Sequence, residues 1–253
     1  LAILLVAQHA TAFLAPRHGL PPPMRGSLQL MTAQSRDELV VDAELKEKVD
    51  MAEQRLIEEF KTPFRIVRIA LFGFGTASSL VAALVARHYS PGNLHTFTVG
   101  LDTGASDRGY ARMVADHIGS VHHEVSLSRA DALELIKETV RVCESFDTTT
   151  IRASTMQLAL AKYISEHTEI KVVFNGDVID EASGSYVYFK NAPSADAYQE
   201  ESVRLMREIH LFDGLRTDRT ISGCGLEARL PFGDLEFLQY SMSIPPEHRA
   251  PRD

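Results

Sequence analysis

Tryptophan is absent from the 253 residues, and cysteine occurs only twice, at Cys143 and Cys224. Two cysteines so far apart make neither a metal-ligand cluster nor a disulfide framework, although one bridge between them stays open; a reducing compartment is the simpler reading. Basic residues are in short supply, 26 against 34 acidic ones for a formal charge of -8. A nucleic-acid-binding surface needs the opposite balance, so no nucleic acid is expected as a partner. No stretch reaches the ~20 apolar residues that a bilayer span requires, so no transmembrane span is expected. With 45% apolar and 24% charged residues, the chain has the composition of an ordinary globular protein able to bury a core.

The first 36 residues read as an address. Leu1 to Ala7 form a short apolar run, and Ala10-Thr11-Ala12 has the small-x-small pattern a signal peptidase accepts, with cleavage before Phe13. From Phe13 to Arg36 there is no acidic residue, while Arg17, Arg25, Arg36 and the prolines Pro21 to Pro23 give a transit-peptide character. The stretch ATAFLAP resembles the motif of bipartite leaders that carry proteins into complex plastids of red-algal origin. Residues 1–36 are therefore expected to be a plastid-targeting leader or a disordered arm, and residues 37–253 the working domain. A secretory leader followed by a disordered arm is the other reading.

Beyond Asp37, hydrophobic periodicity alternates between helix and strand. Glu44 to Phe60 spaces Leu45, Val49, Leu56 and Ile57 among charges as an amphipathic helix does. Strands are expected at Ile66–Phe72, Leu94–Val99, Val121–Val125 and Lys171–Asn175. Helices are expected at Ser78–His88, Ser106–Ile118, Arg129–Cys143, Thr155–His167 and Asp196–Ile209. That order predicts an α/β fold, a parallel sheet with helices on both faces and ligands at the carboxyl ends of its strands.

Two strand-to-loop junctions carry the candidate chemistry. At Gly73-Phe74-Gly75-Thr76-Ala77-Ser78, backbone N–H groups of a glycine-bearing turn can cradle phosphate, which makes Gly73, Gly75 and Ser78 candidate cofactor ligands. The same letters fit a dinucleotide loop with Asp102 as ribose ligand, or simply a tight turn with Ser78 capping the next helix. At Asn175-Gly176-Asp177-Val178-Ile179-Asp180-Glu181, three carboxylates after a strand end either hold Mg²⁺ around phosphates or are solvated loop acids. His122 and His123 lie on a strand with no third ligand in view, so no metal site is expected.

Several spaced segments occur together and in order: FTVGLDTGASD from Phe97, VHHE from Val121, FDTTTIRAST from Phe146, LFDGLRTDRTISGCGLEARLPFGD from Leu211 and SIPPEH from Ser243. From about Leu45 to Arg249 the chain resembles the synthetase domain of glutamine-hydrolysing asparagine synthetases. The resemblance implies the adenine-nucleotide alpha-hydrolase-like (ATP-pyrophosphatase) fold, with Mg-ATP as cofactor, aspartate activated as an acyl-adenylate, and ammonia displacing AMP. It also implies roles. Asp177, Asp180, Arg152, Asp213 and Arg216 become candidate catalytic residues, Thr149 and Thr150 candidate substrate ligands, and Gly176 and the backbone near Val99 candidate nucleotide contacts. Arg152 reads equally as a structural strut, and Glu227, Arg229 and Asp234 as mainly architectural.

The match to the family's motifs is partial. Its pyrophosphate loop reads SGGLDS, and here Ala77 stands where that motif has aspartate and Phe74 where it has glycine. A methyl group cannot ligate a hard cation, and a benzyl group crowds a turn meant for close backbone approach. The second loop, SGEGSDE in the family, has the shorter Asp177 for glutamate and Val178 and Ile179 for glycine and serine, while Asp180 and Glu181 persist. The family's glutaminase is expected to be missing in cis, and the sequence stops at Asp253, before the part that supplies a catalytic lysine. Three readings follow: a catalytically degenerate domain serving as a binding or scaffold subunit in a plastid complex, a divergent ammonia-dependent amide-forming enzyme, or a nucleotide-sensing module.

Overall fold

The computed structural model describes residues 69–72, 76–102 and 107–250. The leader expected over residues 1–36, the helix expected over Glu44–Phe60 and the glycine-bearing stretch Gly73, Phe74 and Gly75 lie outside the described residues. All of the described residues belong to one compact unit within Phe64–Asp253.

Five parallel strands form one sheet: β1 (Ile69–Phe72), β2 (His95–Leu101), β3 (Val121–Leu127), β4 (Val172–Asn175) and β5 (Glu227–Arg229), in the order β3-β2-β1-β4-β5. Nine α-helices accompany them among the described residues: α1 (Thr76–Ala86), α2 (Asp107–Ile118), α3 (Arg129–Cys143), α4 (Thr148–His167), α5 (Ile179–Ser183), α6 (Ala195–Glu208), α7 (Asp213–Thr220), α8 (Leu235–Ser243) and α9 (Pro246–Arg249). The chain steps from β1 outward to β2 and β3 through α1 and α2, then returns through α3 and α4 to β4 on the other side of β1. Right-handed crossovers in opposite directions place the two helix pairs on opposite faces. The contacts agree: α1 packs on α2, β1 and β4, whereas α4 packs on β2, α3 and α7.

Burial explains the letters of the strands. β2 lies between two strands and under helices on both sides, so five consecutive residues, Thr96 to Gly100, are buried and no alternation shows. β3 is an edge strand and alternates more openly. The main core joins Phe97 and Val99 of β2 to Leu160 and Ile164 of α4, Val173 of β4, and Ile221 and Leu226 beyond α7. Among the described residues no helix is long and apolar enough to cross a membrane.

Some boundaries need correction. α4 begins at Thr148 rather than Thr155, because Asp147 caps it, accepting a hydrogen bond from Thr150 N at 2.6 Å. The TTIR stretch is thus part of the helix. α1 begins at Thr76, so Ser78 is its third residue and not its cap. The three-residue β5 and the short α5 carry too few residues to show a period.

Candidate functional site

Strand order reverses at β1, where the chain leaves toward β2 on one side and β4 lies on the other. Ligands in open α/β sheets bind outside the carboxyl ends of the strands at such a point. Phe72 and Asn175 are register partners there, so the two junctions singled out in the sequence emerge side by side. They also touch. A Cβ on Gly176 would lie 2.7 Å from both the amide nitrogen and the hydroxyl of Ser78, and 3.1 Å from the carbonyl carbon of Ala77. Gly176 is therefore required by the close approach of the β4 loop to the first turn of α1.

The β4 loop aims its first carboxylate inward. Asp177 Oδ2 accepts hydrogen bonds from Asn175 Nδ2 at 2.6 Å and from Thr217 Oγ1 of α7 at 2.9 Å. Thr217 in turn accepts from Gln157 Nε2 of α4 at 3.3 Å. Burial pushes the Asp177 carboxyl above the usual range, against the opposing pull of Thr217, the Arg216 guanidinium and Asn175. The next residue, Val178, is buried with φ at 81°, a left-handed conformation that β-branched residues avoid. It caps α5, which carries Asp180 and Glu181. Asp180 is exposed and accepts from Ser185, whereas Glu181 is 4% exposed and accepts from the Tyr186 hydroxyl on one oxygen. Its other oxygen, Oε2, is buried with no hydrogen-bond partner. Burial and the Glu181 carboxylate hold the Tyr186 hydroxyl far above its ordinary range.

α7 places an Asp213–Arg216 ion pair beside this network, and both residues are largely buried. The first turn of α4 brings in Thr149 and Thr150. Thr150 is buried, its amide held by Asp147, whose carboxyl is drawn below the usual range by that bond and, more weakly, by Arg216. Arg152, on the same helix, lines instead an apolar cavity together with Phe146, Ile136 and Leu133. The side chain of Val99 is in the core, but the register of β2 with β1 ends at Phe97 opposite Phe72, and β2 continues to Leu101. Arg108 clamps that end, donating from Nη2 to the carbonyls of Gly100 at 2.6 Å and Leu101 at 2.7 Å. Glu227 pairs with Arg229, and Asp234 caps α8 by accepting from the amides of Glu236 and Phe237, so all three are structural here.

The structure thus gathers Asp177, Asp213, Arg216 and Gly176 with Ser78, and adds Asn175, Gln157, Thr217 and Tyr186, which sequence reasoning missed. Nothing local signals Thr217, since its partner is 40 residues away. Among the described residues no group of three or more His, Cys, Asp or Glu converges as a metal cage. A magnesium nucleotide needs only one or two carboxylates besides its phosphates. The unpartnered Oε2 of Glu181 and the neighbouring Asp180 fit that requirement, while Ala77 offers no oxygen from the α1 side.

Comparison with known proteins identifies the family. The asparagine synthase family model matches residues 74–199 and 190–253. A glutamine-hydrolysing asparagine synthetase of Bos taurus is 41% identical over 187 residues, covering 72% of this chain and 33% of that protein. The Homo sapiens counterpart is 42% identical over the same length, and a probable asparagine synthetase of Acanthamoeba polyphaga mimivirus is 42% identical over 177 residues, 70% of this chain and 32% of that one. The chain spans about a third of the length of these relatives.

Proposed function

We propose a function from one premise, that the chain belongs to the asparagine synthase family: its synthetase domain, of the ATP-pyrophosphatase type, is catalytically degenerate and serves as a binding subunit. One observation carries this reading. Next to the meeting point of the two loops, α1 carries Ala77, whose methyl can ligate nothing, and the first carboxylate of the β4 loop, Asp177, is hydrogen-bonded to Thr217 and Asn175. Stabilising a departing pyrophosphate takes preorganised charge and metal ligands at that spot. A carboxylate misplaced by about 1 Å already costs ~10²-fold in rate. Bound Mg²⁺ would supply charge neutralisation of the phosphates, with Asp180 and Glu181 as its holders. The first-turn amides of α1 and the Arg216 guanidinium would position an anion, and Asp213 would fix that guanidinium. A plastid complex is the setting the leader suggests for such a subunit.

The test is aspartate-dependent release of pyrophosphate from Mg-ATP in the presence of ammonium. None is expected from the chain as it stands, and partial recovery is expected on Ala77→Asp with Asp177→Glu. Asparagine formed by the unaltered chain would overturn the reading. A second reading, a divergent ammonia-dependent amide-forming enzyme, draws on the retained Asp180, Glu181 and Asp213–Arg216 and predicts that product.

A further inference from the structure

A cavity of about 500 Å³ opens between α3 and α4 at the end of β2. Its walls are almost wholly aliphatic and aromatic: Ala132, Leu133, Ile136 and Val140 from α3, and Ile151 and Met156 from α4. Three of these lining groups are unusually exposed for their type, Leu133 at 56%, Ile136 at 37% and Phe146 at 90%. Two guanidiniums complete the lining, Arg129 at the start of α3 and Arg152 in the second turn of α4. Both are exposed, neither forms a hydrogen bond or ion pair among the described residues, and no acidic side chain lines the cavity.

On a chain of formal charge -8, an acid-free apolar hollow holding two unpaired arginines selects its occupant by charge. Its volume lies in the range of small-molecule sites, which are apolar with a few polar groups that fix orientation. The walls are helix side chains, so an extended peptide would find no backbone partners and would leave its own amides unsatisfied. An aliphatic chain carries no such groups. A carboxylate head can take the paired donors of one or both guanidiniums, the geometry in which arginine binds carboxylates best.

We propose that the α3–α4 cavity is a binding site for an aliphatic carboxylate, with the chain on Leu133, Ile136 and Val140, the head on Arg129 and Arg152, and Phe146 covering it. This goes beyond the reading of the nucleotide crevice and does not rest on it.

The test uses the full chain and dansyl-labelled undecanoate, with its methyl ester as the uncharged control. Saturable binding of one probe per chain is expected, with the ester about tenfold weaker, as loss of a charge-assisted pair implies. Arg129→Gln with Arg152→Gln is expected to weaken the carboxylate by a similar factor and leave the ester unchanged. Ile136→Asp is expected to weaken both. Unchanged thermal midpoints of these surface variants verify that they fold. Absence of saturable binding, equal affinity for acid and ester, or displacement of the probe by Mg-ATP each overturns the proposal, the last by making the cavity part of the nucleotide crevice.

Discussion

Val178 holds its backbone at φ 81° while its side chain is only 5% exposed, and these two facts pull a substitution in opposite directions. Val178→Ala removes buried methyls, at about 1–2 kcal/mol, and keeps a Cβ in the left-handed region. Val178→Gly loses slightly more surface but releases roughly 1–2 kcal/mol of backbone strain. Glycine is therefore expected to be the milder replacement by about 1 kcal/mol, the reverse of the usual order; urea unfolding of both variants measures it. Asp177 titrates in the same loop. Its folded carboxyl is raised by burial, so the native state binds the proton more tightly than the unfolded chain does. Stability from this group is present below the unfolded value, near 3.8, and is lost as pH rises toward the folded one. Asp177→Asn keeps an acceptor for Thr217 and cannot ionise. It is expected to raise the thermal midpoint at neutral pH, with the gain fading toward pH 4; a variant less stable than wild type at neutral pH would show that the charged form is the one the site prefers.

Helix ends follow similar local rules, and one of them is open to improvement. α3 ends at Glu144, which sits at φ 50° and ψ 38°, a position that glycine fills without cost. Glu144 also meets Arg219 at 3.2 Å, but both side chains are substantially exposed, and such a pair contributes at most a few tenths of a kcal/mol. Glu144→Gly is expected to stabilise by about 0.5 kcal/mol net, a rise of ~1–2 °C in a calorimetric scan. α3 itself was legible to the residue, because Ser128 caps it through Asp131 N and its apolar side recurs at helical spacing. α4 was legible only from Thr155, since Thr148-Thr149-Thr150-Ile151 is a β-branched run whose helical state depends on the Asp147 cap and on burial of Thr150 and Ile151. The four parallel strands β1 to β4 could be read from the alternation of strand and helix, whereas their order in the sheet and the three-residue β5, held by pairing with β4, could not. At the site, motif letters located Asp177 and Arg216. The sequence could not reveal that Thr217 occupies Asp177, because that bond exists only once α7 has been laid across the end of β4.

Among the described residues, a pair of acid-sensitive histidines lies at the edge of the sheet farthest from β5. On β3, His122 and His123 point to opposite faces, and both imidazoles are pushed below the usual histidine range chiefly by burial. His122 has a side chain 2% exposed; its Nδ1 meets Thr96 at 2.8 Å, and its Nε2 is buried with no hydrogen-bond partner, 3.9 Å from Glu124. Around it Arg112 and His123 oppose a positive charge while Glu124 and Asp116 favour one, and burial is the largest single cause. His123 stacks flat on Phe97 at 4.4 Å between centroids, and its Nε2 lies 2.9 Å from His95 Nδ1, an arrangement that needs a lone pair on one ring. A base whose folded value is depressed releases its proton on folding, so the unfolded chain binds more protons below the reference of 6.5. Stability from these two rings is complete above that value and is lost progressively as pH falls below it toward the folded values. Acid also neutralises part of the formal charge of -8, which relieves self-repulsion, but that field is spread over the surface and screened by physiological salt. The histidine effect is local and buried and outweighs that field, while the raised Asp177 carboxyl works against it. In an Asp177→Asn background, which removes the opposing carboxyl, the thermal midpoint is expected to drop between about pH 7.5 and about pH 5.5. His122→Gln with His123→Gln is expected to flatten that slope, even if its midpoint at neutral pH is lower, because a glutamine carries no proton to release; an undiminished slope in the double variant would place the acid sensitivity elsewhere in the molecule.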